Sequence, residues 1–256
     1  MTTPLLISIA PVLMILLYIY YRDKHEKEPI KMLILSVLFG ALAVIPILIL
    51  EIILSIPAAW MAGYMKAGWE AFVVAAFSEE LFKFLVIMIF IWRSKHFNEP
   101  FDGIVYAVYV SLGFALVENI LYVIEGGATV ALLRAITAVP AHAIFGIGMG
   151  YYLGLAKYQP AKRSRYISMA LLFPILLHGV YDFILMSEMP FYIILFFAFV
   201  IGLYIFAFRH LKKMSVYSGK ILSEETENSS ASLIDEVTDM PPVENKPVDN
   251  TRGFDL

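Results

Sequence analysis

Seven long apolar runs decide what this chain can fold into: about 4–21, 31–54, 70–92, 102–123, 130–156, 165–186 and 190–208. A helix needs about 20 mostly apolar residues to cross the hydrocarbon core of a bilayer, and each run comes close to that. Backbone in lipid must satisfy its own hydrogen bonds, so such runs fold as helices. The expectation is an all-α, polytopic transmembrane helix bundle of about seven spans. Composition agrees: 60% of the 256 residues are hydrophobic and mean hydropathy is +0.77. A soluble globular domain is excluded. The first run lacks a basic stretch before it and a cleavage pattern after it, so it reads as a retained helix and not a signal peptide. Pro46 and Pro174 fall inside the second and sixth runs and are predicted to bend them. No internal repeat is visible.

Charge divides the chain into a membrane domain, 1–210, and an acidic tail, 211–256. Residues 214–256 hold nine acids and three bases, a net −6, which leaves +3 on the rest of a chain whose total is −3. The tail's low aromatic content and its prolines and serines predict disorder. Nothing in this distribution suggests nucleic acid as a partner. The connections after the first, third, fifth and seventh spans together carry thirteen bases, among them Arg22, Lys24, Lys162 and Arg163. The opposite side has Lys66, with Arg134 near the start of the fifth span. The positive-inside rule then predicts a multi-pass protein of the cell membrane with its N-terminus outside and its tail in the cytoplasm. There are no cysteines, which excludes disulfides, thiolate metal sites and a cysteine nucleophile.

Against this apolar background a few polar residues stand out. From Ala71 to Trp92 the only polar side chains are Ser78, Glu79, Glu80 and Lys83. The fourth span holds Glu118 and Asn119, the fifth His142, and the sixth His178 and Asp182. Ionisable groups at membrane depth are costly and mark functional sites. At 1.5 Å per residue, Glu79 lies roughly 14 Å from the outer end of its span, Glu118 roughly 8 Å, His142 roughly 18 Å and His178 roughly 12 Å. All four fall in the outer half of the bilayer, which predicts one shared site. Lys83 is i+4 to Glu79 and i+3 to Glu80, so it can reach either carboxylate. Asp182 is i+4 to His178 and can orient its imidazole. Glycines following His142 (Gly146, Gly148, Gly150 and Gly154) let helices pack closely.

These residue types suit hydrolysis by an activated water. A carboxylate beside a second one in a low-dielectric site can take and return a proton, while histidine or an asparagine amide steadies an oxyanion. Ser78 precedes the glutamates, but no GxSxG elbow surrounds it. This chemistry calls for no cofactor. Zinc held by two histidines and a glutamate is the alternative, although HExxH is absent. A proton- or cation-coupled transporter would use the same groups, but such proteins often show a repeat. A non-enzymatic membrane scaffold would tolerate Glu→Gln changes.

At these residues the chain resembles a known family. Glu79-Glu80-Leu81-Phe82-Lys83 is similar to the EExxK motif of the PrsW intramembrane proteases, and Phe114 to Asn119 resembles their FxxxEN motif. Pro140-Ala141-His142 with the glycine-rich face after it, and His178-Gly179-Val180-Tyr181-Asp182, resemble the third and fourth motifs. Phe101-Asp102-Gly103 is also family-like. The match runs in order over about residues 1 to 210, and the type II CAAX prenyl endopeptidases are related. The resemblance implies a glutamate-dependent intramembrane peptidase that makes the first, extracytoplasmic-side cut in single-pass anti-sigma factors. It implies Glu79 or Glu80 as base, with Glu80 favoured, and His142 and His178 on water or oxyanion. Asn119 would be a second donor, Glu118 would hold a histidine or water, and Lys83 and Asp182 would orient the others. Two departures stand out: the acidic tail lies beyond the family core, and Tyr106 to Tyr109 is bulkier than the small residues expected there.

Overall fold

The computed structural model describes residues 2–187 and 189–238. Nine α-helices are found among them: α1 (Thr2–Arg22), α2 (Ile30–Leu42), α3 (Val44–Ser55), α4 (Gly63–Trp69), α5 (Ser78–Val86), α6 (Asp102–Ile136), α7 (Ala138–Tyr158), α8 (Arg163–Met186) and α9 (Tyr192–Thr238). Wider, π-type turns over Glu70–Phe77 and Ile87–Ile91 flank α5 and make one continuous helical run with it. The chain divides into two compact units, Met1–Gly219 and Lys220–Leu256. The described part of the second is helical through Thr238. The rest of the acidic tail, 239–256, lies outside the described residues.

The fold is a polytopic helical bundle. Four helical runs among the described residues are long and apolar enough to cross a membrane: Ile30–Trp60, Asp102–Tyr158, Pro160–Met186 and Tyr192–Ser230. A shorter apolar helix covers Leu6–Arg22. The run around Glu79 is not among the four, because it carries Glu70, Glu79, Glu80 and Lys83. Polarity is distributed as a bilayer requires. Leu17, Ile34, Ile52, Leu176 and Ile201 are each more than half exposed, whereas Glu79, Glu80, Lys83, His142 and His178 are at most 5% exposed. Apolar side chains face outward and the charges face each other.

Helices α6 and α7 form the centre. They pack along each other, with α1 and α2 against α6, and α8 against both α7 and the wide-turn segment 70–77. The α6–α7 crossing is tight because glycine meets glycine: a Cβ on Gly150 would lie 2.1 Å from the carbonyl oxygen of Gly103. The first unit's loop end is pinned by polar contacts. Asp102 accepts the backbone N–H groups of Asn98 (2.8 Å) and Glu99 (2.7 Å), and Ser218 on α9 donates to Glu99 (2.9 Å). The bulk of Tyr106 and Tyr109 has a use here. Tyr106 donates to Glu28 in the loop before α2, and Tyr109 to the Leu16 carbonyl on α1 at 3.0 Å.

The prolines act differently from one another. The second span breaks at Ala43, between α2 and α3, one turn before Pro46; the proline has no N–H to give the Leu42 carbonyl. By contrast α8 continues through Pro174. The fifth span also starts later than the sequence predicts. The backbone of α6 leaves helical geometry at Gly127 (φ 68°, ψ −156°), resumes to Ile136, and α7 begins at Ala138. Residues 130–136 therefore end the α6 run and do not open α7.

Candidate active site

Three helical elements bring the polar residues together. The run around α5 supplies Glu79, Glu80 and Lys83, α7 supplies His142, and α8 supplies His178. One ligand atom from each of Glu79, Glu80, His142 and His178 lies within 4.8 Å of all the others, and all four residues are buried. Lys83 sits among them. Its Nζ donates to Glu79 Oε2 at 3.0 Å and Glu80 Oε1 at 2.8 Å, and lies 3.3 Å from His142 Nδ1. The helical spacing makes this possible, since both glutamates lie within one turn of the lysine.

The two histidines are held in parallel ways. Each turns Nδ1 toward the glutamates and Nε2 toward an outer carboxylate. His142 Nε2 lies 2.9 Å from Glu118 Oε2, and His178 Nε2 lies 3.1 Å from Asp182 Oδ2. His178 Nδ1 is also 3.0 Å from Glu80 Oε1, and Glu79 Oε2 is 3.9 Å from the Nδ1 of both rings. Phe145 stacks on His178 with centroids 4.8 Å apart, and Phe114 meets His142 edge-on at 5.5 Å. The rings are thus fixed by a carboxylate on one side and an aromatic face on the other.

A cavity of about 570 Å³ reaches this group. Glu79, Glu118, His142, His178 and Asp182 line it, but Glu80 and Lys83 do not. Glu80 is fully buried, and its Oε2 has no hydrogen-bond partner among the described residues. Asn119 stands apart from the central four. It is buried, gives Nδ2 to the Ser8 carbonyl (3.0 Å) and accepts from Arg134 at Oδ1 (2.8 Å). Ser78 is buried and does not line the cavity. Glu51 and Arg134 are among the cavity residues that the sequence does not single out. Glu51 is the single acid of its apolar span, a signal that was available. Arg134, with Nη2 2.6 Å from Glu118 Oε2, was hidden by the misplaced start of the fifth span.

The donor set suits a metal ion. Two imidazole nitrogens and two carboxylates converge, the far nitrogen of each ring is held by a further carboxylate, and one carboxylate oxygen is unpartnered. The Lys83 ammonium contacts three of the four donor residues, so an ion there would replace its hydrogen bonds.

Comparison with known proteins decides the family. The family described as PrsW family intramembrane metalloprotease matches residues 28–208. This chain belongs to the PrsW family. Protease PrsW of Oceanobacillus iheyensis is 44% identical over 206 residues, covering 80% of this chain and 93% of that protein. The Clostridioides difficile and Bacillus subtilis proteins of the same name are 39% and 38% identical, over 84% and 80% of this chain and 93% of each relative. No solved structure matches the chain. The PrsW assignment makes the protein a peptidase, and the transporter and scaffold readings fall away.

Proposed function

We propose that this protein cuts a single-pass membrane protein, such as an anti-sigma factor, near the extracytoplasmic side of the cell membrane. The observation that carries the reading is the convergence of Glu79, Glu80, His142 and His178 at a cavity within a lipid-facing bundle. The extracytoplasmic assignment rests on the thirteen bases at the alternate connections, which put those ends in the cytoplasm.

Glu79 is the proposed base, because it lines the cavity and Glu80 does not. It takes a proton from water, the water oxygen attacks the scissile carbonyl, and the proton passes on to the leaving amine. His142, whose Nδ1 can accept a hydrogen bond, positions the water, and His178 stabilises the oxyanion. Glu80 holds Lys83 and His178 in place, while Glu118 and Asp182 orient the two rings. Asn119, whose amide is engaged by Ser8, supports the site and does not reach the substrate.

The four-donor arrangement also favours a second reading, in which zinc is held by Glu79, Glu80, His142 and His178. Bound there, zinc would polarise the carbonyl and lower the pKa of a water. Metal analysis of the purified protein and a chelator titration separate the two readings. Stoichiometric zinc with chelator-sensitive activity selects the metal reading, and full activity without metal selects the glutamate reading.

Co-expression with tagged single-pass anti-sigma factors tests the function itself. Wild type should yield a shortened, membrane-retained fragment, and equally expressed Glu79→Gln and His178→Ala should not. A fragment that persists in both variants overturns the site assignment.

A further inference from the structure

Arg134 occupies a position that its sequence neighbours do not explain. It lies in an apolar stretch beyond Gly127, whose φ of 68° and ψ of −156° belong to a region open essentially to glycine. That break redirects the chain, and Arg134 meets residues fifteen and sixteen positions earlier. Its Nη2 donates to Glu118 Oε2 at 2.6 Å and its Nε to Asn119 Oδ1 at 2.8 Å. The guanidinium lies 4.1 Å from the Tyr122 ring centroid. Its side chain is only 15% exposed.

The decisive atom is Glu118 Oε2. It takes the Arg134 contact at 2.6 Å and the His142 Nε2 contact at 2.9 Å together. Glu118 can orient His142 only if its own carboxylate is held, and its other charged contact is this guanidinium. The planar fork of arginine holds Glu118 and Asn119 through separate nitrogens in one fixed geometry, which the single, freely rotating ammonium of lysine does not reproduce. Asn119 then joins the same fork to α1 through the Ser8 carbonyl.

From this geometry we infer that Arg134 is a positioning residue of the peptidase: it fixes Glu118, and through Glu118 the orientation and tautomer of His142. The inference rests on the proposed peptidase site. Arg134 itself need not touch substrate. With Nε2–H given to Glu118, Nδ1 keeps its lone pair toward Lys83 and Glu79.

The test uses the full chain in detergent or liposomes with a single-pass substrate that wild type cleaves. Arg134→Gln should lower kcat by about 10- to 100-fold while KM stays within about twofold, as expected for loss of a partner that orients a catalytic group. Arg134→Lys should fall between it and wild type. In a Glu118→Gln background, Arg134→Gln should cost nothing further in kcat. Nitrogen-15 NMR of His142, which needs no substrate, should show the Nε2–H tautomer in wild type and a mixture in Arg134→Gln. Wild-type kcat in Arg134→Gln, additive losses in the double variant, or an unchanged His142 spectrum would each overturn the inference. Wild-type cleavage by Glu79→Gln and His178→Ala, with the spectral change in Arg134→Gln still present, would instead overturn the proposed site and leave the Arg134–Glu118–His142 coupling standing.

Discussion

Gly150→Ala puts a methyl group where the α6–α7 crossing has no room for one. Its Cβ would lie 2.1 Å from the Gly103 carbonyl oxygen and 2.5 Å from Ile104 Cα, whereas ordinary contact begins near 3.4 Å. The obstacles are backbone atoms and cannot rotate aside. The helices must part by about 1.3 Å, the difference between 3.4 and 2.1 Å. Overpacking of this kind costs about 1–3 kcal/mol, and rigid obstacles place the cost toward the upper end. The same displacement separates His142 on α7 from Glu118 on α6, now 2.9 Å apart. A misplacement near 1 Å in a catalytic group costs about 100-fold in rate. Gly146→Ala should be milder, because its nearest obstacle is 3.0 Å away. Gly202→Ala on α9 meets nothing within 4 Å and should be neutral or stabilising. Thermal unfolding of purified protein, paired with substrate cleavage, should rank Gly202→Ala at or above wild type, then Gly146→Ala, then Gly150→Ala. Stability and activity of Gly150→Ala equal to those of Gly202→Ala would refute the reasoning.

Other outcomes follow from single contacts. Asp182→Asn weakens the acceptor for His178 Nε2 at 3.1 Å and should lower cleavage about 10- to 100-fold while the unfolding midpoint stays near wild type; an equal loss of folded protein would show that Asp182 is structural. Lys83→Met leaves Glu79 and Glu80 buried without their cation, a change that costs about 3–5 kcal/mol, so a large drop in unfolding midpoint is expected, and an unchanged midpoint would contradict the pairing. Asp23, in the loop before α2, is pushed up from 3.8 to about 7 by burial and then by Glu99 beside it. The native carboxyl keeps a proton that the unfolded chain releases, so its stabilisation, complete below the unfolded value, is lost as pH rises toward about 7. The unfolding midpoint should therefore be higher near pH 5 than near pH 8, and Asp23→Asn should flatten that slope; a slope that Asn leaves unchanged would clear Asp23 of responsibility.

The helices and the shared polar site were legible because both follow from local rules. Apolar run length gives spans, and an acid, a lysine or a histidine inside such a run has few places to go but toward another. The i,i+3 and i,i+4 pairs at Lys83 and at Asp182 could be read directly from helical geometry. What escaped was non-local. Nothing in the periodicity around Arg134 shows that Gly127 redirects the chain, since glycine is also common inside membrane helices. That Asn119 gives its amide to Ser8 on α1 depends on the packing of helices far apart in sequence. The inequality between Glu79 and Glu80 is likewise invisible locally. They differ by about 100° around the helix, and only the neighbouring helices decide which one borders the cavity. The wide turns on either side of α5 add to this, because they change the angle at which both glutamates are presented.

The central claim is that Glu79 activates the water that cleaves a membrane-spanning substrate at this cavity. The most direct measurement is cleavage by purified protein in liposomes, with the products identified by mass spectrometry and wild type compared with Glu79→Gln of equal unfolding midpoint. The account predicts one hydrolytic cut by wild type, at the extracytoplasmic end of the substrate's span, and loss of that cut in the variant. A Glu79→Gln protein that makes the same cut at the wild-type rate would contradict it.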